Sequence, residues 1–485
     1  MTDLAFESAV ALAAAVRERR ITARALLELY LERVEKLNPS LNAIVVLEAD
    51  KARAQADAAD SALARGEKPG PLHGVPATVK EAFDLAGTPT TWGSPAHKAN
   101  IAATTAVSVE RLQRAGAIVF GKTNVPLFLA DWQSFNDVYG TSVNPWDPER
   151  TPGGSSGGSA AALAAGLVGL EWGSDIGGSL RVPAHFCGIY AHKPTWGIVP
   201  PEGHGLAPAP PTDISVVGPM ARSAKDLRLM LALTAGPHGP AARGWKLALP
   251  ECRKRSLRGF RVAAMLDAPQ AEVDAGVREC LESAIEFLRR EGARVDTSAR
   301  PAIDLEDVAR DTVLLIRGAT SAKLPKEEFE RALRQRGELE ASADDYVARH
   351  ARGVAAYHRE WLIEHDRRYR MQLAWERFFE EWDLLLCPAA STTAFRHDHS
   401  QPRHERLVPV NGRPRPAIEQ VFWAGLAGIA HLPATVFPVG RAPDGLPVGL
   451  QAIGPLYGDY TCIAFAELME ARYRAFEAPS ALRSI

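Results

Sequence analysis

The sequence predicts an α/β fold in which helices and strands alternate along one continuous unit of 485 residues. Helical periodicity fills the first 65 residues and the stretch from Asp304 to Trp382. Short apolar segments bounded by glycine and proline lie between and after them. Neither an internal repeat nor a low-complexity linker divides the chain.

In chain order, Ser8 is placed to cap a first helix. Thr22 caps a second over Ala23–Leu37, whose Leu26, Leu27, Tyr30, Leu31 and Val34 share one face. A third, alanine-rich helix runs from Glu48 to Arg65 and ends before Gly66. Val75–Val79 reads as a strand, Thr105–Ala115 as a helix and Ala117–Phe120 as a strand. From Gly153 to Thr195 the composition shifts to glycine, serine and alanine, with a helical run over Ser159–Leu167. Pro200–Pro219, rich in proline and glycine, is expected to form an irregular surface loop. Leu384–Cys387 and Ala434–Pro438 read as buried strands, and Pro443-Asp444-Gly445 between apolar runs signals a hairpin.

Composition bounds the function. The chain is 46% hydrophobic and 24% charged, as expected of a folded globular protein rather than a disordered one. A net charge of −2 argues against nucleic-acid or anionic-membrane binding as its main work. The five cysteines are scattered, without CxxC or Cys/His ligand spacing, so neither a metal site nor a disulfide framework is expected. Free thiols suit a reducing cytoplasm. The N-terminal region carries Arg17, Arg19 and Arg20 and lacks the apolar core of a signal peptide. No run of 18 apolar residues occurs, so no spanning helix is expected.

Three motifs compete for the chemistry. Gly116-Ala117-Ile118-Val119-Phe120-Gly121-Lys122-Thr123 matches a phosphate loop letter for letter. Its context is wrong, because a helix precedes Gly116 and Asn124-Val125-Pro126 cannot continue one. Gly116 reads better as a helix C-cap. Gly153-Gly154-Ser155-Ser156-Gly157 fits a nucleophile elbow, yet the proline-rich segment before it cannot be the required strand. Nothing ties a histidine such as His431 to Ser155. The third motif, Asp175-Ile176-Gly177-Gly178-Ser179, offers successive backbone N–H groups that can cradle an oxyanion beside a serine nucleophile. Taken alone, a glycine turn between buried elements is the simpler reading.

Together, three segments resemble the amidase signature family. They are Gly74-Val75-Pro76-Ala77-Thr78-Val79-Lys80-Glu81, Pro152-Gly153-Gly154-Ser155-Ser156-Gly157-Gly158-Ser159, and Asp175 to Arg181 continuing through Cys187-Gly188. His192-Lys193-Pro194-Thr195 closes the signature, with His192 where the family more often has leucine. Gly121-Lys122-Thr123-Asn124 fits the family too, which removes the phosphate-loop reading. Gly425 to Pro438 and Gly445 to Gln451 resemble its C-terminal core strands.

The resemblance implies one domain with a large central mixed, twisted β-sheet covered by helices on both faces. Within it, 1–65 are N-terminal helices, 66–235 the signature core, 304–380 a variable helical entrance and 384–485 the C-terminal core. It also implies a Ser-cis-Ser-Lys triad: Ser179 as nucleophile, Ser155 as bridge on a cis peptide after Gly154, and Lys80 as base. N–H groups of Ile176, Gly177, Gly178 and Ser179 would hold the oxyanion. Elementary chemistry supports these roles. A lysine of ordinary pKa, about 10.4, is protonated at pH 7 and cannot accept a proton. Burial lowers that value by roughly 3–5 units, and Val75, Pro76, Val79 and Phe83 supply apolar surroundings.

Asp175 and Arg181 flank the nucleophile and are placed to pair with each other in a supporting role. Ser156 is expected to hydrogen-bond within the relay or to shape its turn. Lys122, Lys193 and Cys187 read as structural. The implied activity is hydrolysis of small amides without cofactor or metal, with a homodimer as the family-level expectation for assembly. The rival reading is the glutamine-hydrolysing subunit of a tRNA-dependent amidotransferase, which typically shows Asp-Thr-Gly-Gly-Ser and then Arg-Gln-Pro. Here Ile176 and Val182 replace the threonine and glutamine. Leu129 and Trp132 lie where the family lines its acyl pocket, which points to an apolar or aryl acyl group, though ordinary core would explain them equally. Esters and carbamates share the same tetrahedral chemistry. A non-catalytic interaction protein of the same fold is disfavoured by the intact triad positions.

Overall fold

The computed structural model describes residues 4–208, 210–340 and 342–482. The N-terminal helices form where local capping allows. Ser8 accepts from Ala11 N (3.2 Å) at the start of α1 (Ala9–Arg17), and Thr22 accepts from Ala25 N (3.0 Å) at the start of α2 (Ala23–Leu41). Helix α2 runs past the expected end at Leu37. Pro39 falls in its last turn, where it forgoes the bond to the Glu35 carbonyl, and left-handed Asn42 (φ 49°) stops it. A third helix, α3, covers Ala49–Ala64.

An 11-stranded mixed sheet forms the centre. Its strands are β1 (Ile44–Leu47), β2 (Pro76–Lys80), β3 (Ile118–Thr123), β4 (Leu170–Asp175), β5 (Tyr190–Lys193) and β6 (Val216–Ala221). They continue with β7 (Arg261–Ala264), β8 (Arg294–Asp296), β9 (Leu384–Pro388), β10 (Ala434–Arg441) and β11 (Pro447–Ile453). Their spatial order is β1-β3-β2-β4-β6-β5-β10-β11-β9-β7-β8. Strand β2 runs parallel to both β3 and β4, while β10 and β11 make the expected antiparallel hairpin. Every residue of β2, β4, β6, β9 and β11 is buried. Strands buried on both faces need cover on both, and the flanking helices supply it. One apolar core runs from Ala5 in the first turn of chain to Met469 near its end.

Two further expectations needed correction. Residues 200–219 are irregular only as far as Ser215, because β6 begins at Val216 and pairs with β4 and β5. Pro219 lies inside that strand opposite Trp172. A proline there suggests a loop, but the apolar burial of Val216, Val217 and Met220 outweighs the lost donor. Likewise Gly425–Gly428 end a helix rather than begin a strand.

The signature region adds α4 (Val107–Arg114), α5 (Gly157–Ala164) and α6 (Arg181–Cys187). Beyond the signature come α7 (Leu305–Thr320), α8 (Lys326–Glu338), α9 (Tyr346–Val354) and α10 (His358–Glu381). On α7, Val313, Ile316, Arg317 and Thr320 recur at one-turn spacing and face the central cavity. Among the described residues no helix is long and apolar enough to cross a membrane.

Candidate active site

Lys80 ends β2, between two parallel neighbours, and its side chain is fully buried. Its Nζ donates to Ser155 Oγ (2.7 Å) and Ser174 Oγ (3.0 Å). Among the described residues no carboxylate forms an ion pair with it. Burial pulls its pKa from 10.5 to about 7, and the Asp175 charge resists that fall only partly. So lowered, Lys80 has a substantial uncharged fraction at neutral pH and is able to take a proton.

Ser155 sits just before α5, and the Gly154–Ser155 peptide is cis. Gly154 is required by space, since a Cβ there would lie 2.3 Å from the Asp131 carbonyl oxygen. The next residue, Ser156, accepts from Ser174 N (3.4 Å) and donates to Ser174 O (3.3 Å). It therefore ties down the end of β4 that carries Ser174, and its hydroxyl makes no bond to Lys80, Ser155 or Ser179. Ser156 N donates to Ser179 O (3.2 Å), which joins the two serine segments.

The loop after β4 is shaped by a buried ion pair. Arg181 meets Asp175 in a two-pronged contact, Nη2 to Oδ1 at 2.8 Å and Nε to Oδ2 at 3.0 Å, with both side chains inaccessible. Desolvation opposes the Asp175 charge, but Arg181 and the N–H groups of Leu180 and Gly178 hold its pKa down to about 2. Gly178 has φ +96° and packs against Val182, Ala424 and Trp132. Its N–H donates to Asp175 Oδ1 (2.9 Å), so it is committed to the loop rather than offered to a ligand. Ile176, Gly177 and Ser179 have no intramolecular acceptor for their N–H groups among the described residues. Trp132 Nε1 donates to Gly177 O (3.0 Å) and braces the same loop.

Ser179, 5% exposed, lines a cavity of about 870 Å³ together with Ser155, Ser174, Leu129 and Trp132. Its Oγ makes no hydrogen bond with Ser155 Oγ among the described residues. Hydrogen bonds between reacting groups are commonly long in an unliganded site and tighten only in the substrate complex. Trp92, Phe128 and Leu129 all reach the wall from left-handed backbone (φ 54°, 49° and 59°). For side chains of this size that conformation is strained and is characteristic of ligand-shaping loops.

The remaining signature residues lie elsewhere. Lys122 is buried in β3 and donates to the Pro89 carbonyl and Thr90 Oγ1. Lys193 donates to Pro194 O (3.0 Å) and Leu432 O (2.8 Å). Buried His192 bonds Asp459 (3.0 Å), which also accepts from Thr195, so the unusual histidine has an internal partner. Cys187 is packed away from solvent. His431 bonds Asp213 (2.9 Å) and stacks on Trp196 instead of approaching Ser155. Ser174 is the site residue that motif reasoning passed over. Strand alternation sends Ser174 and Asp175 to opposite sides, so one can meet Lys80 while the other meets Arg181.

Comparison with known proteins identifies the family. The amidase family profile matches residues 25–463. An indoleacetamide hydrolase of Bradyrhizobium diazoefficiens is 34% identical over 480 residues, covering 96% of this chain and 86% of the relative. A glutamyl-tRNA(Gln) amidotransferase component of Acidothermus cellulolyticus is 32% identical, covering 98% of this chain and 96% of the relative. The crystal structure of a bacterial aryl acylamidase superposes with a TM-score of 0.81 at 24% identity, covering 99% and 98% of the two chains, a likeness of fold. The chain belongs to the amidase signature family and is a hydrolase of amide carbon–nitrogen bonds.

Proposed function

We propose that Ser179 is the nucleophile, Ser155 the proton bridge and Lys80 the base of an amidase acting on small amides with an apolar or aryl acyl group. The observation that carries this is the uncharged-prone Lys80 held 2.7 Å from Ser155 Oγ, on the wall of the cavity that also exposes Ser179. Ser179 Oγ attacks the amide carbon while its proton passes to Ser155 and that of Ser155 passes to Lys80. The oxyanion takes hydrogen bonds from the N–H groups of Ile176, Gly177 and Ser179, donors fixed before reaction. When the C–N bond breaks, the relay returns a proton to the leaving amine. Water then adds to the acyl ester on Ser179 by the same route in reverse, releasing the acid.

Part of the wall supports that substrate class. Trp92, Phe128, Leu129, Trp132 and Ile176 give it an apolar surface near the nucleophile loop. Ile176 and Val182, in place of the polar residues of the glutamine-hydrolysing subunit, weigh against glutamine. The test is a panel of p-nitroanilides, amino-acid amides, aryl esters and aryl carbamates, with wild type compared to Ser179→Ala. Product release from apolar or aryl anilides, lost in the variant, supports the reading. Inactivity on the whole panel, or glutamine as the preferred substrate, overturns it.

A further inference from the structure

Charges on the cavity wall are mostly neutralised within the chain. Arg181 pairs with Asp175, Arg406 with Asp131 (2.6 Å), and Arg396 with Glu149. Three cations differ: Lys323, whose Nζ donates to Thr212 Oγ1 (2.9 Å) and lies over the Trp92 ring, and the pair Arg317 and Arg403. The Nη2 atoms of both arginines donate to the phenolic oxygen of Tyr346, each at 3.0 Å, so they stand no more than 6.0 Å apart. Neither arginine forms an ion pair among the described residues. Tyr346 offers an acceptor but no charge.

Two histidines adjoin the cluster, and one of them, His404, also faces Glu405 at 3.6 Å. His350 and His404 lie against the Tyr346 ring at 6.0 and 5.7 Å. His350 is held down to about 4 by burial and then by the charges of Arg317, His404 and Arg331. Nearby carboxylates are already engaged. Asp344 takes two bonds from Arg349 (both 2.9 Å), and Asp345 caps α9 through Ala348 N (2.8 Å). Asp398 accepts from Ser400 N (3.0 Å) and Ser400 Oγ (2.7 Å). The other lining acids, Asp84 and Glu202, feel Lys122 and Arg111 instead. Holding two like charges together on a neutral hydroxyl is unfavourable until an anion enters. Arg403 Nη1 also donates to Ala130 O (2.6 Å), so the Arg317 fork and the remaining N–H groups of Arg403 are what can meet a carboxylate, which guanidinium matches in shape and charge.

We propose that Arg317 and Arg403, gathered on Tyr346, form a carboxylate-binding subsite, and that the preferred substrate is an amide bearing a carboxylate away from its scissile bond. The apolar wall takes the body of the molecule and the arginines take its charged end. The proposal rests on reading the Ser179 cavity as the amide site. It extends that reading from an apolar acyl group to an amphiphilic substrate, with the carboxylate on either the acyl or the amine side.

Three probes of similar length separate those sources: neutral hexananilide, adipic acid monoanilide (acyl side) and 4-hexanamidobenzoate (amine side). One carboxylated probe should exceed hexananilide in kcat/KM by roughly 10- to 100-fold, the range for hydrogen bonds to a charged group, chiefly through KM. High salt should erode that preference. In the Arg317→Gln/Arg403→Gln double variant the ratio should fall to about 1, while Arg403→Glu should favour 6-aminohexananilide, the cationic counterpart. No preference in wild type, or one that survives the double variant, overturns the subsite. Calorimetry of adipic acid monoanilide with Ser179→Ala separates the two claims. Carboxylate-dependent binding with no anilide turnover by wild type would sink the nucleophile reading and leave the subsite. Turnover without any charge preference would do the opposite.

Discussion

Raising the pH should switch this enzyme on near neutrality, because the base is a lysine whose charge is removed by burial. An ordinary lysine at 10.5 is uncharged in only about one molecule in 3,000 at pH 7. Lys80, pulled down to about 7 by its buried position, is uncharged in half of them. Burial thus raises the uncharged fraction at pH 7 by about 1,500-fold, worth about 4 kcal/mol in the population of competent base. The assay is kcat/KM for a p-nitroanilide from pH 5 to 9.5. A rising limb of one-proton slope should level off above a midpoint near 7. Lys193 is also buried and also lowered to about 7, but its bonds go to Pro194 and Leu432, so the midpoint should persist in Lys193→Met. A rate that climbs without a plateau through pH 9.5, or a midpoint that vanishes with Lys193 alone, would refute the reasoning.

Further outcomes follow from the same contacts. Between pH 7 and 10.5 the unfolded chain binds the Lys80 proton and the folded chain does not, so this residue makes wild-type stability rise with pH through that window. Urea unfolding should find wild type gaining about 2 kcal/mol on Lys80→Met between pH 7 and 9, and a pH-independent difference would contradict it. Asp175→Asn strips Arg181 of its buried counter-charge and should cost about 3–5 kcal/mol of stability, read by the same unfolding experiment. Ser174→Ala removes one of two acceptors holding Lys80 Nζ and should lower kcat about tenfold, with KM for a neutral anilide little changed.

Much of the site is legible in the chain before it folds. Lys80, Ser155 and Ser179 stand in motifs that together resemble the amidase signature, which implies their roles, and Asp175 and Arg181 sit close enough in sequence for pairing to be foreseen. Less local facts are not. Which way the Gly178 peptide turns depends on Asp175, whose carboxylate draws its N–H inward and leaves three free donors instead of four. Ser174 reaches Lys80 only because β2 and β4 lie side by side in parallel, a pairing across 94 residues. The fold shows the same division. Caps at Ser8 and Thr22 are local and read directly, whereas β6 holds a proline that local rules assign to a loop. The Arg317–Tyr346–Arg403 cluster joins three separate segments and leaves no trace in any one of them.

The most direct test of the relay is to trap the acyl group. Rapid quenching of wild type and Lys80→Ala during turnover of an activated aryl ester, followed by peptide mass spectrometry, locates the modified residue. The relay predicts acylation of Ser179, formed in wild type at least 100-fold faster than in Lys80→Ala at pH 7.5, in line with the loss of a general base. Acylation at another residue, or of Ser179 at equal rates in both proteins, would contradict it.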